Sequence, residues 1–143
     1  VHICTDARGC LEVEVSGVTS SPVLTNDLVE IQRDGAGFTW LGRFDNLINS
    51  GGIKIIPELL EERIRETLGL ECLLLPEADR KLGNRLVLLV EFEGKEPPLE
   101  DWETLLRERL PGHEVPKKIL TVKSLPRNAS MKPDRTRSRD LLL

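Results

Sequence analysis

Tyrosine is absent from this chain, and the other aromatics amount to three Phe and two Trp in 143 residues. So few rings leave no platform for stacking the bases of a single-stranded nucleic acid. Long apolar runs are missing too. None approaches the ~18 residues that a membrane span requires, and no signal peptide is expected before the first strand. Cysteine is scarce: Cys4, Cys10 and Cys72 make an odd set without Cys-x-x-Cys spacing, which argues against a disulfide framework and against a zinc site. Cys10 and Cys72 sit among apolar residues, the setting of a small buried hydrophobe. All three are expected to be reduced thiols, and the protein to be cytoplasmic. A strong excess of one charge is lacking as well, since 20 Lys and Arg against 24 Asp and Glu leave a net charge of -4. That is too little to steer a charged partner.

What remains is a chain that is 39% hydrophobic and 31% charged, the composition of a globular protein and not of a disordered one. Its length suits one ordinary domain, or a small domain with part of a second. It opens on Val1, which fits a processed chain, an excised piece or a fragment. The charge is uneven. From Lys117 onward Lys118, Lys123, Arg127, Lys132, Arg135, Arg137 and Arg139 face only Asp134 and Asp140. A solvated basic terminus, a nucleic-acid arm and a surface facing a phosphate are all open to such a segment. The lack of interleaved aromatics argues against the second.

The first forty residues read as β-strands. Cys10–Val15 alternates apolar and polar, Leu28–Ile31 repeats the signal, and Asp34-Gly35-Ala36-Gly37 turns the chain into a return strand at Phe38–Leu41. This stretch is too small to bury a core alone. The texture changes after Arg43. Ile53–Ile56 is a short strand, and Pro57 opens a helix at the favoured first position. Leu60, Ile64 and Leu68 form its apolar face, Glu58, Glu61 and Glu62 crowd its positive end, and Gly69 ends it. Strands are expected at Glu71–Leu75 and Arg85–Phe92, joined through a turn-rich Pro76–Asn84. The second is apolar enough to be covered on both faces. A helix follows from Leu99 to Leu110, with Trp102 and Leu106 on its inner face, then a strand at Ile119–Val122 and a polar loop. The resulting order is β-α-β-β-α-β, a small α+β layer domain.

The most distinctive string is Leu41-Gly42-Arg43-Phe44-Asp45-Asn46-Leu47-Ile48-Asn49-Ser50-Gly51-Gly52-Ile53-Lys54-Ile55. It joins the β-rich part to the α+β part, so Arg43–Asn46 is a candidate linker. Ser50-Gly51-Gly52 can approach a ligand closely, because glycine has no side chain and tolerates positive φ. Its backbone N–H groups could hold a phosphate or border a narrow channel. A plain hairpin turn is the simpler reading of the same residues. Arg43 beside Asp45 reads equally as a surface ion pair worth under about 1 kcal/mol, and Asp27 as the end of a strand.

From Gly42 through Glu61 this string resembles the linker motif of the adenylate-forming superfamily, which includes acyl-CoA synthetases, luciferases and peptide-synthetase adenylation domains. That motif runs Gly-Arg-x-Asp, a short mixed run, Ser-Gly, a basic residue in a strand, then Pro and a helix bearing a Glu. Thr25-Asn26-Asp27-Leu28 is similar to the family's Thr-Gly-Asp-Leu, with Asn26 in place of Gly. Leu125-Pro126-Arg127-Asn128-Ala129-Ser130-Met131-Lys132-Pro133-Asp134-Arg135 is similar to its Leu-Pro-x-Thr-x-Ser-Gly-Lys-x-x-Arg, with Met131 in place of Gly. Within the superfamily, Asp45-Asn46-Leu47, the double glycine and Ala78–Arg85 resemble the o-succinylbenzoate–CoA ligases of menaquinone synthesis.

The resemblance implies an α+β fold, with a mobile carboxy-terminal β-α-β-β-α-β domain over residues 45–143. It would be preceded, over residues 1–44, by the β-strand edge of a larger amino-terminal domain. It implies an AMP-forming acid–thiol ligase that uses ATP and CoA, and a chain inactive without that larger domain. By position, Lys132 corresponds to the catalytic lysine, Asp27 and Arg43 to the ATP contacts, and Asp45 to the hinge. Ser50, Gly51 and Gly52 correspond to the border of the CoA channel. Mg2+ is expected to bind mainly outside this stretch, and no metal ligand is assigned here. The partners implied are a carboxylic acid, ATP, CoA and the amino-terminal domain, with no nucleic acid and no membrane. Two other readings stay open: an adenylation domain that loads a carrier protein, and a non-catalytic module that binds a phosphate or a partner.

Overall fold

The turns that separate the strands of the first forty residues each hold a glycine at positive φ, a conformation that glycine meets without strain. In the computed structural model, which describes residues 1–142, these strands are β1 (His2–Thr5), β2 (Cys10–Glu14), β3 (Val23–Ile31) and β4 (Phe38–Arg43). They form an antiparallel meander in that order. Asp6 shapes the first turn by accepting hydrogen bonds from the N–H groups of Arg8 (2.8 Å) and Cys10 (3.1 Å). Gly9 completes it at φ +83°. Cys10, Leu11, Leu28 and Val29 are buried, whereas Val18, Leu24 and Trp40 stay exposed. β3 starts earlier than its apolar pattern suggests, so Asp27 lies inside the strand and does not end it. Leu28 pairs with Gly42 and Val29 with Trp40. Leu41 is therefore the extra residue of a bulge, and that shift places Asp27 directly opposite Arg43.

The chain divides into two compact units, Val1–Leu47 and the part from Ile48 onward. The second unit begins with a hairpin, β5 (Ile48–Ser50) and β6 (Ile53–Ile55), closed by Gly51 and Gly52 at φ +60° and +81°. Two positive φ values in a two-residue loop match the twist of the flanking strands, and glycine meets them without strain. Helix α1 (Pro57–Leu68) follows, with Pro57 at its start and Gly69 at φ +70° as its left-handed cap. The cap N–H reaches the Arg65 carbonyl at 2.7 Å.

Strands β7 (Cys72–Asp79), β8 (Gly83–Glu91) and β9 (Lys118–Val122) make a sheet in that order. β7 and β8 are antiparallel, while β8 and β9 are parallel, joined by a crossover through α2 (Leu99–Arg109). Leu86 through Val90 of the central strand are all buried. Leu86, Leu88 and Val90 pack toward Ile64 of α1 and Trp102 and Leu106 of α2. Leu89 packs on the other side with Leu73, Leu75 and Leu125. The α+β expectation therefore holds, and the Ser-Gly-Gly segment closes a hairpin, the simpler of its two readings. Two differences remain in this unit. β7 runs on through Pro76, paired with Leu86, because an edge strand can spare one N–H. The expected polar loop ends in α3 (Arg135–Arg139), whose N-cap Asp134 accepts from the Arg137 N–H at 3.0 Å. Ser138 is fully buried there, so the basic end is in part folded structure and not a wholly solvated tail.

Candidate functional site

In the first unit the strand register gathers three of the expected residues. Arg43 Nη1 donates to Asp27 Oδ1 at 3.1 Å, and Arg43 Nη2 lies 3.6 Å from Asp45 Oδ2. Trp40 Nε1 donates to the same Asp27 oxygen at 3.2 Å. Asp45 sits in a 3-10 turn, Phe44–Asn46, directly after β4. That turn is held from below by residues that sequence reasoning left without a role. Arg8 donates to Asn26 Oδ1 (2.9 Å) and to the Thr25 carbonyl (2.9 Å), and its guanidinium lies 4.9 Å from the Phe44 ring centre. Asn26 Nδ2 in turn donates to Asp45 Oδ2 at 3.3 Å. The Asn in place of the family's Gly therefore ties the turn to β3. Asp6 braces Arg8, whose guanidinium holds the Asp6 carboxyl below its ordinary range. The cluster is exposed enough to meet a ligand: Asp45 keeps 61% of its side-chain surface and Arg43 44%.

In the second unit Ser50-Gly51-Gly52 lies against the turn between β7 and β8. Gly51 N–H donates to the Leu82 carbonyl at 2.8 Å, and Asn84 Nδ2 to the Asn49 carbonyl at 3.3 Å. A Cβ on Gly51 would come within 3.1 Å of the Leu82 side chain, whereas one on Gly52 would meet open space. Asp79 holds the partner turn by accepting from the Leu82 and Lys81 N–H groups, each at 2.9 Å. Those backbone donors depress its carboxyl pKa. The Ala78–Arg85 string and the glycine turn are thus neighbours in space.

Lys132 is exposed, in a separate loop of the second unit. Asn128 closes that loop: its N–H donates to the Lys132 carbonyl at 2.9 Å, and its Oδ1 accepts from the N–H groups of Ser130 (2.9 Å) and Lys132 (3.2 Å). Met131 is at φ +63°, the one non-glycine residue with positive φ among those described. It adopts the left-handed conformation that the motif's glycine would take freely, at some steric cost.

Sequence reasoning missed what anchors this loop. Glu61, read as one of several acidic residues favouring the start of α1, is only 2% exposed. Arg135 Nη2 and Nη1 donate to its two oxygens at 2.8 Å each, and the Leu74 N–H donates at 2.7 Å. Burial pushes the Glu61 carboxyl up from its ordinary value, against the pull of Arg135. The available signal was that Glu61 and Arg135 are the last residues of two separate motifs. A groove of ≈ 500 Å³ beside α1, lined by Ile53, Ile56, Leu59, Arg63 and His113 among others, includes none of the expected site residues.

No protein-family model matches the chain. It is 29% identical over 123 residues to 3-oxocholest-4-en-26-oate–CoA ligase of Rhodococcus rhodochrous, a match covering 85% of this chain and 22% of that protein. It is 32% identical over 98 residues to 2-succinylbenzoate–CoA ligase of Escherichia coli (strain K12), covering 68% and 21%. Among solved structures it resembles the acyl-CoA synthetase (AMP-forming)/AMP-acid ligase II-like protein of Dyadobacter fermentans DSM 18053. The TM-score is 0.65 at 35% identity, over 99% of this chain and 41% of that one. The chain thus spans about a fifth of the length of these curated relatives.

Proposed function

This chain is a homologue of the AMP-forming acid–CoA ligases, and from that premise we propose that it is the carboxy-terminal part of such an enzyme. The complete enzyme would activate a carboxylic acid with ATP and pass the acyl group to CoA. In the first step a carboxylate oxygen attacks the α-phosphorus, the bond to the bridging oxygen breaks, and pyrophosphate leaves. In the second the CoA sulfur, having lost its proton, attacks the acyl carbon, and AMP leaves with the C–O electron pair.

The observation that carries this reading is the pairing of Asp27 with Arg43 across β3 and β4, two motif residues sixteen positions apart. Asp27 can accept from both ribose hydroxyls, and Arg43, beside it, faces the nucleotide. Lys132 supplies an ammonium against the charge that grows on the phosphate, a contact stronger in the transition state than before it. The second step requires that lysine to withdraw, so the part after Asp45 swings about that residue between steps. The position of Asp45 in a short turn next to the division after Leu47 supports this role. Ser50, Gly51 and Gly52 border the passage for the pantetheine arm. Mg2+ accompanying ATP is assigned to residues outside this chain. The chain alone is expected to catalyse neither step.

For the acid we propose o-succinylbenzoate, in menaquinone synthesis in the cytoplasm. The 2-succinylbenzoate–CoA ligase relative and the seating of the glycine turn on Ala78–Arg85 support that choice. Full-length Lys132→Ala tests the mechanism. Adenylation, read as acid-dependent exchange of pyrophosphate into ATP, should fall about a hundredfold or more. Thioester formation from presynthesised acyl-adenylate should persist. Normal adenylation by Lys132→Ala would refute the assignment, with Lys117→Ala and Lys123→Ala as controls. A panel of acids given to the complete enzyme tests the substrate: a higher kcat/KM for a fatty acid than for o-succinylbenzoate would reject it.

A further inference from the structure

Lys132 is exposed, yet the loop that carries it is rooted at both ends in acid–base pairs. At the first root Arg127 Nη2 donates to Glu91 Oε2 (2.9 Å) and Oε1 (3.2 Å), and the Leu125 N–H donates to Glu91 Oε2 (2.9 Å). This ties the loop to the end of β8. The second root lies three residues past Lys132. There Arg135 forks onto Glu61 with both oxygens at 2.8 Å, and its Nη1 also donates to the Leu74 carbonyl at 2.9 Å. Glu61 belongs to α1 and Leu74 to β7, so one guanidinium joins the loop to a helix and a strand at once. Between the roots, the Asp134 N–H donates to the Pro126 carbonyl at 2.7 Å and closes the neck.

A buried ion pair is a poor way to add stability, because desolvation offsets much of its attraction and apolar residues of similar volume often serve as well. What a bidentate fork adds is direction. Two parallel N–H···O bonds define one orientation and one register, which an apolar contact does not. We propose that the Glu61–Arg135 pair is a positioning device for Lys132: it sets the register of the loop on α1 and β7, so that the ammonium is presented at one place for adenylation. The Arg127–Glu91 root limits the loop from the other side and is more exposed. This inference rests on the reading of Lys132 as the adenylation lysine.

The test uses the complete enzyme carrying Glu61→Gln together with Arg135→Met. That pair of changes removes both charges and keeps an acceptor for the Leu74 N–H. Three quantities are measured: the half-reactions separately, thermal melting, and amide hydrogen exchange at Met131 and Lys132 against Leu88 in the core. Adenylation should fall at least tenfold in kcat with melting nearly unchanged. Thioester formation from presynthesised acyl-adenylate should be kept, and exchange at Met131 and Lys132 should be tenfold faster while Leu88 is unaffected. Full adenylation by a normally melting double variant would overturn the proposal. So would parallel loss of both half-reactions with melting, which marks a merely structural pair. If Lys132→Ala itself adenylates normally, the lysine reading has failed. Exchange at Met131 and Lys132 then decides the clamp alone, and unchanged exchange overturns it.

Discussion

Two clusters of arginine and carboxylate in this molecule use the same chemistry to opposite ends. In the first unit Arg43 stands between Asp27 and Asp45 with much of its surface in water. In the second, Arg135 is forked onto a Glu61 that keeps 3% of its side-chain surface. An exposed pair gains little, typically ~0–1 kcal/mol, because water and salt compete for both charges. Its members can therefore exchange partners when a ligand arrives. A buried pair cannot: removing one member strands the other charge, at about 3–5 kcal/mol. Burial thus separates a cluster suited to recognition from one suited to holding a shape.

The largest effect is expected at the buried pair. Arg135→Ala should cost the second unit about 3–5 kcal/mol, read from urea unfolding of the chain followed by Trp fluorescence. A loss under about 1 kcal/mol would mean that Glu61 is hydrated or neutral and that the two clusters do not differ in kind. An intermediate effect is expected at the glycine turn. Gly52 has open space around it but sits at φ +81°, so Gly52→Leu should cost roughly 1–2 kcal/mol in backbone strain. In the complete enzyme it should lower CoA-dependent thioester formation far more than adenylation. Equal persistence of both half-reactions would reduce the turn to a hairpin closure. The smallest stability effect belongs to the exposed end. Arg43→Ala should change unfolding by less than about 1 kcal/mol while weakening ATP binding at equilibrium. Loss of stability without loss of ATP affinity would reverse the roles assigned to the two clusters.

The elements that were legible in the sequence are those with local causes. α1 could be bounded at both ends because Pro57 fits the first turn and Gly69 fits the left-handed cap. β8 was legible because five successive apolar residues suit a strand covered on both faces. Where local and tertiary preferences disagree, the local signal misled. Pro76 reads as a breaker, yet it lies within β7 because that strand is a sheet edge. α3 is only five residues long and its segment is mostly charged, so periodicity could not reveal it.

The site divides in the same way. Residue identity and spacing along the chain were enough to pick out Asp27, Arg43, Asp45, Ser50, Gly51, Gly52 and Lys132 as residues that resemble the superfamily's motifs. How they are held depends on contacts between distant parts of the folded chain. Asp27 faces Arg43 because a bulge at Leu41 shifts the register of β4. Asn26, a departure from the motif, became a tie to Asp45 because the turn after β4 folds back over β3. Glu61 met Arg135 across seventy-four positions because α1, β7 and the start of α3 pack together. Periodicity and capping act over one or two turns of chain, whereas these pairings depend on strand register and on which faces are buried together.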